Sequence, residues 1–392
     1  MADSFALTNC GQIATFSGTE IVKDGVVHVA RGRIVAVSEG QQIPPHVETI
    51  DVGGRVVTPG LIDAHTHAVF AGSRSDEMEM RASGATYQEI AEQGGGIMST
   101  VRAVRELDGD ALFEIAKGRV EQMLRCGTTT AEIKSGYGLA TLQEVKILEV
   151  ARRLGDETPL DVVTTFLGAH AVPPEFVGNR RGYMDLVVGE MLPLMVELGL
   201  ASYVDIFVEE GYFDAEDARR LCGRLPMRMH VDQFSTGGAE LAAELGAVTA
   251  DHLEQTGAKG IEALVRGGVT PVLLPASVYC LGLTKYPDAR AMIDAGLPVV
   301  LATDFNPGSA PTPSLPFVMS LACTQMGMTA IEALRGCTVN AARSLGFSDR
   351  GVLTTGAVAD IVVWDTDSIR DIPYFVGAPL VWAVYKDGER VV

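Results

Sequence analysis

Basic residues are scarce in this chain, cysteine pairs are missing, and long apolar runs do not occur. Each deficit excludes something. Lys plus Arg number 31 against 50 Asp plus Glu, a formal net charge of −19 over 392 residues. Such a chain repels nucleic acid and anionic membrane, so neither is expected as a partner. No apolar run reaches the roughly 18 residues of a membrane helix. The greasiest stretch, 187–208, is broken by Glu190, Glu197 and Asp205. No basic residue precedes Lys23, so the start does not read as a secretory signal. The six cysteines are scattered without a CxxC pair, which predicts reduced, mostly buried thiols in a cytoplasmic protein. With 47% apolar and 21% charged residues the composition is globular, and wholesale disorder is excluded.

What is present falls into three textures. Residues 1–58 alternate short apolar runs with Gly-containing turns, and GVVHVARGRIVAV (25–37) carries β-branched residues at strand spacing. Residues 351–392 have the same texture, in ADIVVWD (359–365) and LVWAVYKDGERVV (380–392). Between them, β-branched runs alternate with helical patterns, the sequence form of parallel βα units. Eight strands are predicted there, at 60–67, 128–133, 161–170, 204–210, 227–233, 247–254, 270–276 and 298–304. Thr86 with Glu89, and Thr141 with Glu144, have capping-box spacing. Helix 110–125 is predicted to stop at Gly127. The expected fold is α/β: a (β/α)8 TIM-like barrel over 59–350, with a small composite β-sandwich built from 1–58 and 351–392. GGGI (94–97) lacks the Lys-Ser/Thr of a phosphate loop and reads as a mobile connection.

In such barrels functional residues stand at the C-terminal strand ends. Strand 1 ends in His65 and His67, strand 3 in His170 and strand 8 in Asp304, while strands 5 and 6 carry His230 and His252. Residues i and i+2 of a strand point the same way, so His65 and His67 can reach one ion. Any one strand-end histidine is ordinarily a hydrogen-bonded polar residue, but the joint pattern predicts a metal site. His28 and His46 lie in the flanking β segments and are read as structural. Neutral imidazoles and a carboxylate suit zinc or another borderline ion such as iron. A bound metal would bring a water's pKa towards about 7, and His252 and Asp304 could take its proton.

The segments around these residues, TPGLIDAHTH (58–67), HTHAVFAGSRSDEMEMR (65–81), AEIKSGYGL (131–139), TFLGAHAVPPEF (165–176), HVDQFSTGGAELAAELGAVTADHLE (230–254) and LATDFNPGSAP (301–311), resemble the metal-dependent amidohydrolase superfamily. Within it the chain is similar to the imidazolonepropionase family over nearly its whole length. The resemblance implies hydrolysis of the cyclic amide of 4-imidazolone-5-propanoate to N-formimidoyl-L-glutamate, in histidine degradation. It implies one divalent ion per subunit, zinc or iron, on His65, His67, His230 and Asp304. It implies substrate contacts from Arg74, Tyr137, His170, Gln233, Asn306, Gly308 and Ser309. Catalytic roles fall to His252, Asp304, Gln233 and His170. A homodimer is the expected assembly.

The chemistry of the residues agrees with this. A propionate bound to so acidic a protein needs a local cation, and Arg74 can pair with it bidentately, with Arg81 as the alternative. The turn DFNPGS offers backbone N–H groups and a hydroxyl for a new carboxylate. Related deaminases place Glu three residues after the strand-5 histidine. Gln233 stands there and cannot ionise, which counts against the alternative of a heterocycle aminohydrolase. Glu209 and Glu210 end strand 4, where binuclear relatives have a bridging Lys, so one metal is expected. Lys134 ends strand 2 and reads as a structural cation.

Overall fold

The computed structural model describes residues 4–40, 43, 47–84, 89 and 95–392. Two eight-stranded sheets organise it. The first contains β1 (Ser4–Ala14), β2 (Ile21–Ala30), β3 (Arg33–Glu39), β4 (Glu48–Asp51) and β5 (Val56–Pro59). The second is the run β6 (Leu61–Thr66), β7 (Thr128–Lys134), β8 (Asp161–Ala169), β9 (Tyr203–Val208), β10 (Met227–Val231), β11 (Thr249–His252), β12 (Thr270–Leu273) and β13 (Val300–Leu301). The chain then returns to the first sheet with β14 (Ile361–Trp364), β15 (Val381–Lys386) and β16 (Glu389–Arg390).

The first sheet is mixed and draws on both ends of the chain. Its order is β16-β15-β14-β5-β1-β2-β3, and β4 also pairs with β1. The two ends meet where β5 runs antiparallel to β14, Val57 opposite Val363. The inward residues alternate along each strand and pack as one core that includes Leu7, Ile13, Val27, Val57, Ile361 and Tyr385.

The second sheet is all parallel and follows sequence order from β6 to β13. Every residue of β6, β7, β10 and β11 is buried. Both faces of these strands are covered, and the charged residues they carry, Asp63, Glu132, Lys134, Arg228 and Asp251, lie inside. The barrel closes between β13 and β6 with few ladder bonds. Thr66 pairs with Phe305 in an isolated parallel bridge, and Asp304 N–H donates to His65 O at 3.0 Å. Asp63, fully buried, accepts from Thr303 N–H at 3.0 Å and from its hydroxyl at 2.6 Å. Burial raises the Asp63 pKa to about 7 against these two bonds.

Three expectations need correction. Strand 8 does not run to Asp304: only Val300–Leu301 are in the ladder, because the residues after them bond across to β6. Thr141 and Glu144 do not form a capping box. Ala140 is the N-cap of helix Thr141–Glu157, Thr141 donates to Glu190 at 2.5 Å, and Glu144 turns to the preceding loop. Of the six free cysteines only Cys10 and Cys337 are fully buried. Thr86, of the other capping pair, lies outside the described residues, as does His46. Helix Gly109–Arg125 starts at Asp108, whose side chain accepts from Ala111 N–H, and Gly127 follows it with φ 93°. Among the described residues no helix is long and apolar enough to cross a membrane.

Candidate metal centre and active site

The C-terminal strand ends converge on one cavity of about 550 Å³. At its floor His67 Nε2 lies 3.5 Å from His230 Nε2 and 3.5 Å from Asp304 Oδ1. His65 Nε2 lies 3.6 Å from the same carboxylate oxygen and has no hydrogen-bond partner. All four side chains are almost completely buried. Ring nitrogens with inward lone pairs repel each other and the carboxylate at this range. A cation among them removes the repulsion, and donors about 2.1 Å from an ion in a tetrahedral set stand roughly 3.4 Å apart. The donor set therefore fits a divalent ion. His65, His230 and His252 also group closely enough to share one.

A layer beneath the floor fixes these rings. His65 Nδ1 donates to Asp251 Oδ2 at 2.6 Å, and His230 Nδ1 to Asp205 Oδ1 at 3.1 Å. Each bond places the proton on Nδ1 and leaves Nε2 free for the ion. Lys134, fully buried, donates to Asp205 at 2.7 Å and to Glu132 at 2.9 Å. Arg228 donates to Ala64 O at 2.8 Å, and its Nε lies 3.0 Å from Glu132 without hydrogen-bond geometry. Lys134 and Arg228 thus face the carboxylates of Glu132, Asp205 and Asp251. Buried charge must be matched. These three carboxylates exceed the two cations by one, and Asp304, beside His65 and His67, adds a further buried acid, an excess that a divalent cation would offset. Lys134 pairs with both carboxylates that hold ring nitrogens, Asp205 at 2.7 Å and Asp251 at 3.6 Å.

Burial holds His65 and His67 well below the usual histidine range, and neighbouring cations and imidazoles add to the effect. Burial likewise raises Asp304. Burial pushes Asp205 up, but His230 and Lys134 outweigh it and hold its carboxyl below the ordinary range. His252 differs from His65 and His67: burial works against its charged form, yet Glu254 outweighs that and its pKa is raised. Glu254 Oε1 lies 3.5 Å from His252 Nδ1, an ion-pair distance beyond a hydrogen bond. Backbone strain concentrates here, with His252 at φ 85°, Leu253 at φ 69° and Asp304 at φ 56°.

The walls hold the remaining expected residues. Arg74, Tyr137, His170 and Gln233 line the cavity, as do Asn306, Gly308 and Ser309. Tyr137 is buried, and burial raises its phenol, so it stays protonated. His170 stacks on His67 with centroids 5.2 Å apart and planes at 15°; its Nδ1 donates to Gly136 O at 3.0 Å. Burial and the nearby His230 lower His170 to about 3. Its Nε2 is therefore an acceptor facing the cavity.

Two wall elements differ from expectation. Arg74 is not a lone cation: its Nε and Nη2 fork onto Glu77 at 2.9 and 2.8 Å. Glu77 also pairs with Arg81 at 3.7 Å and accepts Gly96 N–H at 2.7 Å, so this part of the Gly-rich stretch is tied down. Gly94 lies outside the described residues. Burial raises Glu77, but Arg74 outweighs it and its carboxyl is lowered. The guanidinium packs against Gly308, where a Cβ would fall 2.0 Å from Arg74 Nη1. The turn after β13 does not hold out free donors either. Asn306 Oδ1 accepts both Gly308 N–H and Ser309 N–H at 2.8 Å, because a side-chain carbonyl two residues away competes for them first. Ser309 Oγ instead donates to Asp304 Oδ2 at 3.2 Å.

Sequence reasoning missed Asp205, Asp251, Arg228, Glu77, Glu144 and Glu254. One signal was available for three of them: Asp205, Arg228 and Asp251 are charged residues inside barrel strands, where a buried charge needs a partner.

Comparison with known proteins agrees with this geometry. Amidohydrolase family profiles match residues 48–157 and 284–391. A protein of Solibacter usitatus named imidazolonepropionase is 49% identical, with 100% of this chain and 99% of that one covered. One of Geobacillus kaustophilus with the same name is 47% identical, covering 95% and 91%. Among solved structures, an atrazine chlorohydrolase from Arthrobacter aurescens complexed with zinc superposes with TM-score 0.75 at 19% identity, covering 99% of this chain and 95% of that one. A triazine hydrolase variant gives TM-score 0.77 at 18% identity, covering 99% and 94%. These structural likenesses show the barrel fold alone.

Proposed function

This chain belongs to the imidazolonepropionase family of the amidohydrolases, and on that premise we propose that it opens the ring of 4-imidazolone-5-propanoate by hydrolysis. The observation that carries the reading is the convergence of His65, His67, His230 and Asp304 on the floor of a cavity walled by Arg74, Tyr137 and His170. One divalent ion per subunit, zinc or iron, is the proposed cofactor on those four residues. When bound it supplies a water that ionises near neutral pH and Lewis acidity for the ring carbonyl.

The side chains do the rest. Arg74, oriented by Glu77, and Arg81 beside it attract the propionate. Tyr137 donates its phenol proton to the substrate, and His170 Nε2 accepts from a ring N–H. Gln233 orients the ring by hydrogen bonds and moves no proton. Asp304, steadied through Oδ2 by Ser309, takes a proton from the attacking water, with His252 assisting. The water oxygen bonds to the ring carbonyl carbon, the ring C–N bond breaks, and Asp304 returns the proton to the departing nitrogen. The new carboxylic acid ionises and N-formimidoyl-L-glutamate leaves. Asn306, Gly308 and Ser309 are assigned to shaping Asp304 and the seat of Arg74. A homodimer and a cytoplasmic location belong to the same reading, the latter supported by six unpaired thiols.

The test follows the ring's ultraviolet absorbance in metal-loaded protein while ammonia is assayed in parallel. Loss of absorbance without ammonia is expected. Ammonia in step with turnover would make the protein an aminohydrolase, and stable absorbance with metal bound would end the hydrolase reading.

A further inference from the structure

We infer that Glu144 is a positioning residue for the substrate: from a helix on the outside of the barrel it holds loop 135–139 so that Tyr137 and His170 face the cavity. The inference rests on the proposed ring hydrolysis for the identity of the substrate, though not for the geometry.

Glu144 is completely buried. Its Oε1 accepts the backbone N–H groups of Gly138 at 2.8 Å and Leu139 at 2.7 Å, and its Oε2 accepts that of Gly136 at 2.9 Å. One carboxylate thereby satisfies three buried donors of a segment that the barrel ladder does not reach. The segment needs such an anchor. Gly136 sits at φ 107° and Leu139 at φ 51°, conformations that a free chain seldom holds together. The anchor also comes at the expense of the helix. The spacing of Thr141 and Glu144 would make a capping box, yet the helix starts at Ala140 without any side-chain cap.

Two substrate-facing groups depend on the loop. Tyr137 lies between the bonds to Gly136 and Gly138, and its ring stands 5.5 Å from His170 and 5.8 Å from His67. The carbonyl of Gly136 accepts the Nδ1 proton of His170 and so sets which ring nitrogen is the free acceptor. The backbone runs so close that a Cβ at Gly136 would meet His170 Nδ1 at 2.8 Å and Leu167 O at 2.9 Å. A shift of the loop would therefore move the Tyr137 phenol and release the His170 tautomer together.

Glu144→Gln is the discriminating variant. Glutamine keeps one oxygen and turns an NH2 group towards at least one of the three backbone donors. Expected are a kcat/KM on 4-imidazolone-5-propanoate lower by on the order of ten- to a hundredfold and a metal content equal to the parent's. In a Tyr137→Phe/His170→Asn background the further loss from Glu144→Gln should shrink to less than about threefold, because the groups it positions are gone. Nitrogen-15 spectra of labelled histidine add a readout that needs no substrate. The His170 signals, identified by their loss in His170→Asn, should move from a fixed Nδ1–H form towards a mixture of tautomers. Should Glu144→Gln not fold, Glu144→Asp, which keeps the charge but withdraws it by one methylene, carries the same three readouts. A folded variant with parent-like His170 signals and an effect that adds fully to those of Tyr137 and His170 would overturn the inference. A parent protein that leaves the substrate untouched would defeat the hydrolase reading instead, and the tautomer spectra alone would then decide.

Discussion

Asp251 Oδ2 lies 2.6 Å from His65 Nδ1, with both side chains fully buried and on strands β11 and β6, three apart around the closed barrel. The carboxylate decides which nitrogen of His65 carries the proton, and so which one can bind an ion. In Asp251→Asn the negative charge goes while an acceptor oxygen stays. Metal affinity, measured by competition with a chromogenic chelator, should fall on the order of ten- to a hundredfold. Unchanged affinity would mean that His65 is oriented by packing alone.

His230→Ala removes one proposed ligand from the floor while its neighbours keep their bonds. The purified variant should retain parental secondary structure and hold far less than one ion per chain by elemental analysis. Full occupancy would require a different ligand set, such as the grouping of His65, His67 and Asp304 alone.

Arg74 and Gly308 form one contact, and two variants test it from either side. Arg74→Ala removes a charge-assisted pair to a substrate carboxylate, worth on the order of 2–5 kcal/mol, so kcat/KM should drop at least about tenfold with metal content unchanged. Gly308→Ala places a methyl where the guanidinium now lies and should raise KM by displacing Arg74. Parental kinetics in both would transfer the carboxylate to Arg81.

Barrel closure rests on few ladder bonds, so the Thr303–Asp63 pair carries unusual weight there. Thr303→Val keeps the shape and the backbone bond but leaves Asp63 Oδ2 without its hydroxyl donor. A buried acceptor so stranded costs about 1–3 kcal/mol. The variant should melt several degrees lower than the parent at matched scan rate and metal load; an equal melting temperature would place closure elsewhere.

The order of eight strands, the joining of both chain ends in one composite β domain, and the gathering of His65, His67, His230, His252 and Asp304 at one mouth were legible in the sequence. The reason is local: strand periodicity and parallel connectivity together dictate which residues stand at strand ends. Partner choice was not legible, because each polar group can bond several others and only proximity in space selects among them. Glu77 is three residues from Arg74, but spacing could not say that the arginine would reach the cavity already paired. Glu144 had the spacing to cap its own helix and satisfies a substrate loop instead. The donors of the turn 306–309 looked free and are bonded within the turn. Asp205, Asp251, Lys134 and Arg228 come from four strands, and their charges balance only where the closed barrel removes water from all of them at once.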